Sequence, residues 1–389
     1  GAALLANSAL TWDNFRILNL ANNKIGDEGA MAIGKNSSWK ALEWLCLSSN
    51  FIGDKGAIGI GSNKIWGNLK TLKLETNQIG DEGATAIAKN ATWKNLEVLG
   101  LLTNQITYQG AIAIGSNTTW TKLRELHLTL NGIEGTGGEA LGKNSTWIRL
   151  EKLMLSQNGI EDRGALAIGS NGAWTNLKHL FLTANSIGDE GAAAIGRNIS
   201  WTKLEELWLG NNQIGDKGAL TIGSNTTWSN LRKLCLENNQ IESEGGAAIG
   251  KNVTWRKLEE LLLMGNKIGD QGAVAIGCNT TWKRLRDLRL EKNQIGDVGA
   301  IMISENPTWN ELRNLYLSFN RIGWKGLVNL VQNSAWKKTV RSVNLRMNRR
   351  ITSERKNALE AITVLNRSAI ALNIGNYEEP EAQEAFDFS

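Results

Sequence analysis

Cysteine, histidine and proline are nearly absent: the 389-residue chain holds three, two and two of them. Cys46, Cys235 and Cys278 form an odd and widely separated set, which argues against a disulfide framework and for a reducing, cytoplasmic compartment. None of them has a sequence neighbour at metal-ligand spacing, so no metal site is expected. No apolar run approaches the roughly 18 residues of a membrane span, and the chain opens on Gly1-Ala2-Ala3-Leu4 rather than on a signal peptide. It reads as soluble, and the missing initiator Met points to a trimmed piece of a longer protein. What is present is 41% hydrophobic, with 43 Lys and Arg against 38 Asp and Glu. That composition excludes a polar disordered chain and suffices for a large core.

Tryptophan supplies the organisation. Thirteen of the sixteen recur at an unbroken interval of 27 residues, from Trp12, Trp39 and Trp66 to Trp309 and Trp336. Counting from each Trp, Leu or a close substitute stands at +3, +6 and +8, Asn at +11 and Ile at +13, before Gly-Ala-x-x-Ile-Gly-x-Asn. The chain is a repeat array. Leu-x-Leu has strand periodicity, while Asp27 to Gly34 has helical spacing behind a capping Asp. A unit of one short strand and one short helix cannot bury its apolar face alone, so the units stack into an α/β solenoid. Helices are wider than strands, so the strands line the concave side. The expected division is a partial N-terminal helix or cap over 1–11, the array over 12–350, a capping helix over 351–375 and an acidic flexible tail over 376–389.

The stretch Leu45-Cys46-Leu47-Ser48-Ser49-Asn50-Phe51-Ile52, followed by Gly56-Ala57, resembles a leucine-rich repeat of the ribonuclease-inhibitor type. The resemblance covers roughly residues 12–350 and departs from that family in its Trp at the first apolar slot and its fixed 27-residue unit. It implies a curved horseshoe with short parallel strands inside and short helices outside. It also implies a protein-binding role, as in NOD-like receptor arms, ribonuclease-inhibitor-like binders or secreted bacterial effectors acting in a host cytoplasm. An alternative is a GTPase-activating regulator resembling the Ran GTPase-activating protein, which also joins such repeats to an acidic tail. That family needs an Arg and polar partners on an irregular loop, and this uniform array shows none. A purely structural array is the third reading.

Several regularities belong to the architecture. The Trp column reads as core, and the Asn column from Asn23 to Asn320 as a ladder bonding adjacent turns. At +4, cations and Glu alternate (Arg16, Glu43, Lys70, Glu97, Arg124 and onward), which places opposite charges on neighbouring turns. Gly29 to Lys35, Gly137 to Lys143 and Gly245 to Lys251 have phosphate-loop spacing, yet each continues into Asn and would lie within a helix. Eight in-phase sequons, among them Asn36, Asn117, Asn225 and Asn279, are explained by the repeat without sugar.

Binding is expected at +7, the outward residue between the two strand leucines. Met154, Phe181, Trp208, Cys235 and Leu262 form an apolar run of five turns there, and Arg289 and Tyr316 continue it. At +5 lie Lys152, His179, Glu206, Lys233 and Glu260. An apolar centre with a charged rim is the anatomy of a protein interface, with Phe181 and Trp208 as anchors. Catalysis has little to draw on. His127 and His179 stand two turns apart, about 10 Å by strand spacing, and the carboxylates are spread one per turn, so no catalytic residue, metal or cofactor is assigned. Residues 281–356 hold 16 Lys and Arg against 6 Asp and Glu, while the remainder is net −5. Arg289, Arg313, Arg321, Lys325, Arg346, Arg349 and Arg350 suit an acidic partner or an anionic surface, onto which the acidic tail could fold back. Nucleic acid is disfavoured, because there is no aromatic stacking platform there beyond Tyr316, Phe319 and Trp324.

Overall fold

The computed structural model describes residues 1–6, 14–332, 339–348 and 371–373. In each turn the residues at +5 to +7 form a three-residue strand, from β1 (Ile17–Asn19) to β12 (Asn314–Tyr316). Two further strands, β13 (Ser342–Asn344) and β14 (Ala371–Asn373), complete a fourteen-stranded sheet in strict chain order. All pairs are parallel and join equivalent residues, as Leu180 joins Leu207. The extra residue after Trp336 appears as a one-residue offset where Leu315 meets Val343. A short α1 (Ala2–Ala6) precedes the array, and one helix follows each of the first twelve strands, from α2 (Gly26–Gly34) to α13 (Trp324–Gln332). The product is the expected open, curved solenoid, strands inside and helices outside. Apart from Ala371–Asn373, the expected capping helix and acidic tail lie outside the described residues, as do Trp12, Trp336, Arg349 and Arg350.

One continuous core runs the length of the array. Eleven tryptophans, Trp39 to Trp309, are at most 1% exposed and lie among the Leu and Ile columns. The Asn ladder forms as expected: Asn50 Nδ2 donates to the carbonyls of Leu20 (2.8 Å) and Leu47 (3.0 Å). Asn77 Oδ1 in turn accepts from the amide of Ile52 at 3.0 Å. A second ladder at +24 went unread in the sequence. Asn144 Nδ2 donates to the carbonyls of Gly115 and Asn117, both at 2.8 Å, and its Oδ1 accepts from the amide of Thr146. All eight sequon asparagines belong to this ladder and are buried, so a glycan on Nδ2 would displace its bonds.

The conserved-looking Asp of the repeat does not cap its own helix, as its position suggested. Asp27 Oδ1 accepts from the amides of Gly53 (2.7 Å) and Gly56 (2.8 Å), which open the next helix. Asp54, Asp81, Asp162, Asp189, Asp216, Asp270 and Asp297 repeat the arrangement. Each of these turns therefore caps the one after it. In seven turns that follow this Asp, from Gly53 to Gly296, the +14 residue ahead of the helix is extended, with φ between −96° and −101°. Trp324 stands in its place near the end of the array, and Tyr108, Gly135 and Ser243 do so in three earlier turns, where the following +14 residues, Glu134, Glu161 and Gly269, swing to φ of 58°, 55° and 60°. Their amides then donate forward, to the carbonyls of Asn158, Asn185 and Asn293 at 2.8–2.9 Å. An N–H that has lost the Asp acceptor bonds the neighbouring carbonyl instead, and the backbone is rotated to reach it.

Glycine at +22 lets successive helices touch backbone to backbone: a Cβ on Gly196 would lie 2.7 Å from the amide nitrogen of Ile222. The three stretches of phosphate-loop spacing fall inside α2, α6 (Glu134–Gly142) and α10 (Ser243–Gly250), closing at the residue after each helix.

Candidate functional site

Strand alternation turns +6 and +8 into the core and leaves +5, +7 and +9 on the concave side. At +4, on its border, the expected charge ladder is present: Glu43 takes Arg16 and Lys70, Glu151 takes Arg124 and Lys178, and Glu259 takes Arg232 and Arg286. These exposed pairs contribute little individually and mainly avoid a column of like charge.

The centre of the concave side is aromatic. Phe181, ending β7 (His179–Phe181), and Trp208, ending β8 (Glu206–Trp208), stack with ring centroids 5.8 Å apart and planes at 25°. Both are half-buried. Lys152 reaches over the Phe181 ring at 5.7 Å and Lys233 over the Trp208 ring at 4.5 Å. Trp208 Nε1 donates to Glu206 Oε2 at 3.0 Å, and His179 Nδ1 lies 3.5 Å from Glu206 Oε1. The His179 contact, aided by the Trp208 N–H and by Lys233, holds the Glu206 carboxyl down at about 2. Lys233 also pairs with Glu260. Further along, Arg289 stacks over Tyr316 at 4.9 Å. Both rings of the central pair are thus held from two sides, which leaves their orientation set before any partner arrives.

The expected five-turn apolar stripe is shorter than its sequence. Met154, Phe181 and Trp208 are half-buried, but Cys235 and Leu262 are only 2% and 6% exposed. Cys235 stands between the larger Trp208 and Leu262 on adjacent strands, and burial pushes its thiol up to about 11. His127 engages Glu125 at 3.0 Å on its own strand rather than His179, and it holds that carboxyl below the usual range. Among the described residues, no group of three or more His, Cys, Asp or Glu could hold a metal ion, and no helix is long and apolar enough to cross a membrane. An open groove of about 930 Å³ lies on the convex side instead, over Leu166, Ala193 and Leu220, with Asp189, Glu190, Arg197 and Lys217 also along it. The basic end is exposed at Arg313, Arg321, Lys325, Arg341 and Arg346.

Nine stretches of the chain match the leucine-rich repeat family: residues 14–34, 68–88, 121–142, 150–169, 175–196, 202–223, 229–250, 256–277 and 284–304. The chain belongs to the leucine-rich repeat family. Among solved structures this leucine-rich repeat chain is similar to an internalin, InlF, from Listeria monocytogenes, with 21% identity, a TM-score of 0.57, and coverage of 91% of this chain and 94% of that one. It is also similar to the plant peptide hormone receptor RGFR1 in complex with RGF2, with 17% identity, a TM-score of 0.55, and coverage of 96% of this chain and 60% of that one. At these identities the likeness is one of fold. No curated protein matches the chain in sequence.

Proposed function

We propose that this chain is a non-enzymatic scaffold that binds a protein partner through its concave face, centred on Phe181 and Trp208. The observation that carries this is the stacked, half-buried aromatic pair on a strand surface where it serves no core role, set among Lys152, His179, Glu206 and Lys233. Large, rigid aromatics at the middle of a charged rim are what interfaces use as anchors. A helix of eight to ten residues in each central turn supports the ribonuclease-inhibitor type among leucine-rich repeats. The free thiols, with Cys278 exposed, support a reducing compartment such as the cytoplasm.

The test is a quantitative affinity purification with wild type and a Phe181→Ser, Trp208→Ser variant of equal fold. Partners recovered by wild type should fall by at least about tenfold on the variant, as expected when central aromatic anchors are lost. Equal recovery would overturn the reading and move attention to the basic end.

A further inference from the structure

The +9 position shares the concave side with +5 and +7, and it carries Glu237, Met264 and Glu291 on three successive turns. With Glu260 and Asp287 at +5, the floor here holds four carboxylates against Lys233 and Arg289, although this end of the chain is otherwise basic. Most of these charges are accounted for. Lys233 pairs with Glu260, Asp287 accepts from Asn314 Nδ2 at 2.6 Å, and Arg289 lies over Tyr316. Glu237 and Glu291 are left without an ion pair among the described residues. Glu291 is 8% exposed, and its Oε2 is buried with no hydrogen-bond partner. A carboxylate in that position is costly unless a cation meets it closely, and burial, helped by the Glu237 charge, pushes the Glu291 carboxyl above its usual range although its own backbone amide and the Arg289 charge act the other way.

We propose that Glu237 and Glu291 receive one lysine or arginine side chain of an extended partner segment whose apolar residue rests on Phe181 and Trp208. This rests on the concave-face reading above. The cation's methylene stem lies along Met264, between carboxylates two strands, or about 10 Å, apart. Trp208 and Met264 are two strands apart across the sheet and two residues apart along it, a diagonal of about 12 Å. An extended chain covers that in three or four residues. The partner therefore presents an aromatic or large aliphatic residue and a single basic residue at that spacing. Exposed Arg313, Arg321, Arg341 and Arg346 nearby repel a polybasic one.

A phage-displayed library of random dodecapeptides, panned on the full chain, tests this. The baits are wild type, Glu237→Gln with Glu291→Gln, and Phe181→Ser with Trp208→Ser, each matched in fold by circular dichroism. Wild type should enrich peptides with Lys or Arg three or four positions from an apolar residue. A peptide so selected should lose at least about tenfold in affinity on the Gln variant. Replacing its basic residue by Gln should cost the same on wild type and nothing further on that variant. Enrichment without a basic residue at that spacing, or unchanged affinity for the Gln variant, overturns the acidic site. Peptides lost on the Gln variant yet bound equally by the Ser variant keep the acidic site and overturn the aromatic anchor. No enrichment on wild type overturns both.

Discussion

Glu161 and Glu242 occupy the same +14 position of their repeats, yet the same change should act on them in opposite directions. Glu161 follows a turn with Gly135 where Asp is usual and sits at φ 55°, while Glu242 follows Asp216 and is extended at φ −101°. The left-handed conformation costs an L-residue about 1–2 kcal/mol, and glycine escapes that cost while losing about 0.5–1 kcal/mol more backbone entropy on folding. At Gly26 and Gly269, which share the position and the conformation, an added Cβ would meet nothing within 4 Å, so packing does not enter. Glu161→Gly should therefore stabilise by about 0.5–1 kcal/mol. Glu242→Gly relieves no strain and gives up an exposed pair with Lys267, so it should destabilise by a similar amount, a spread of about 1–2 kcal/mol between identical substitutions. Repeat arrays open locally, so native-state hydrogen exchange at the amides of α7 (Glu161–Ser170) and α10 is the assay. Effects of the same sign and size at both positions would refute the claim that the preceding Asp sets the local backbone.

Two further outcomes follow from the packing and the charges. Gly196→Ala forces a Cβ to within 2.7 Å of the Ile222 nitrogen, so the helices must separate; the cost should be about 1–3 kcal/mol by chemical denaturation, even after alanine's better helix propensity. A loss near zero would show that the close approach is not needed. The Glu206 carboxyl is depressed to about 2, so its stabilising contribution is present above the ordinary carboxylate range and is lost as pH falls through about 2. Wild type should thus exceed Glu206→Gln in stability at pH 5 and converge with it near pH 2; a gap that persists there would mean that shape, not charge, matters at this position.

The repeat period, the strand-and-helix alternation and the core columns are all legible in the chain, because each Trp and Leu position recurs often enough to reveal its face. Asn50 and its equivalents are legible for the same reason: a buried amide in every turn has only neighbouring turns to bond. The Asp column is the instructive miss. An Asp beside its own helix start is also beside the next one in space, and a one-dimensional pattern cannot tell which set of amides lies closer. Asn144 and the other sequon positions are harder to read, because Asn and Thr suit turns as well, although their constancy matches that of the first ladder. At the concave face, alternation correctly turned Phe181 and Trp208 outward. It could not show that Cys235 would be shielded between larger neighbours, nor that Glu291 would be buried with one carboxylate oxygen unpartnered, since both depend on the relative size of side chains on adjacent strands.

Helix α6 carries Gly135 and Gly138, and α10 carries Ser243 and Gly246, where most other turns use Asp and, up to α12, Ala. A Cβ on Gly138 would lie 3.1 Å from the Cα of Gly164, and one on Gly246 would lie 2.7 Å from Ile268 Cγ2. The pair α6 with α7 accordingly packs more extensively than the other helix pairs, while α10 with α11 (Gly269–Gly277) packs about as α2 does with its neighbour. In a bent stack, the ratio of outer to inner spacing is what fixes the radius. The close approach of α6 and α7 on the outer rim makes that joint a place where a side chain sets the local bend, one turn before Phe181. Shape here is adjustable one side chain at a time: restoring the carboxylate and the methyl at a pinched joint should open the rim and sharpen the curve, without touching a residue that faces a ligand.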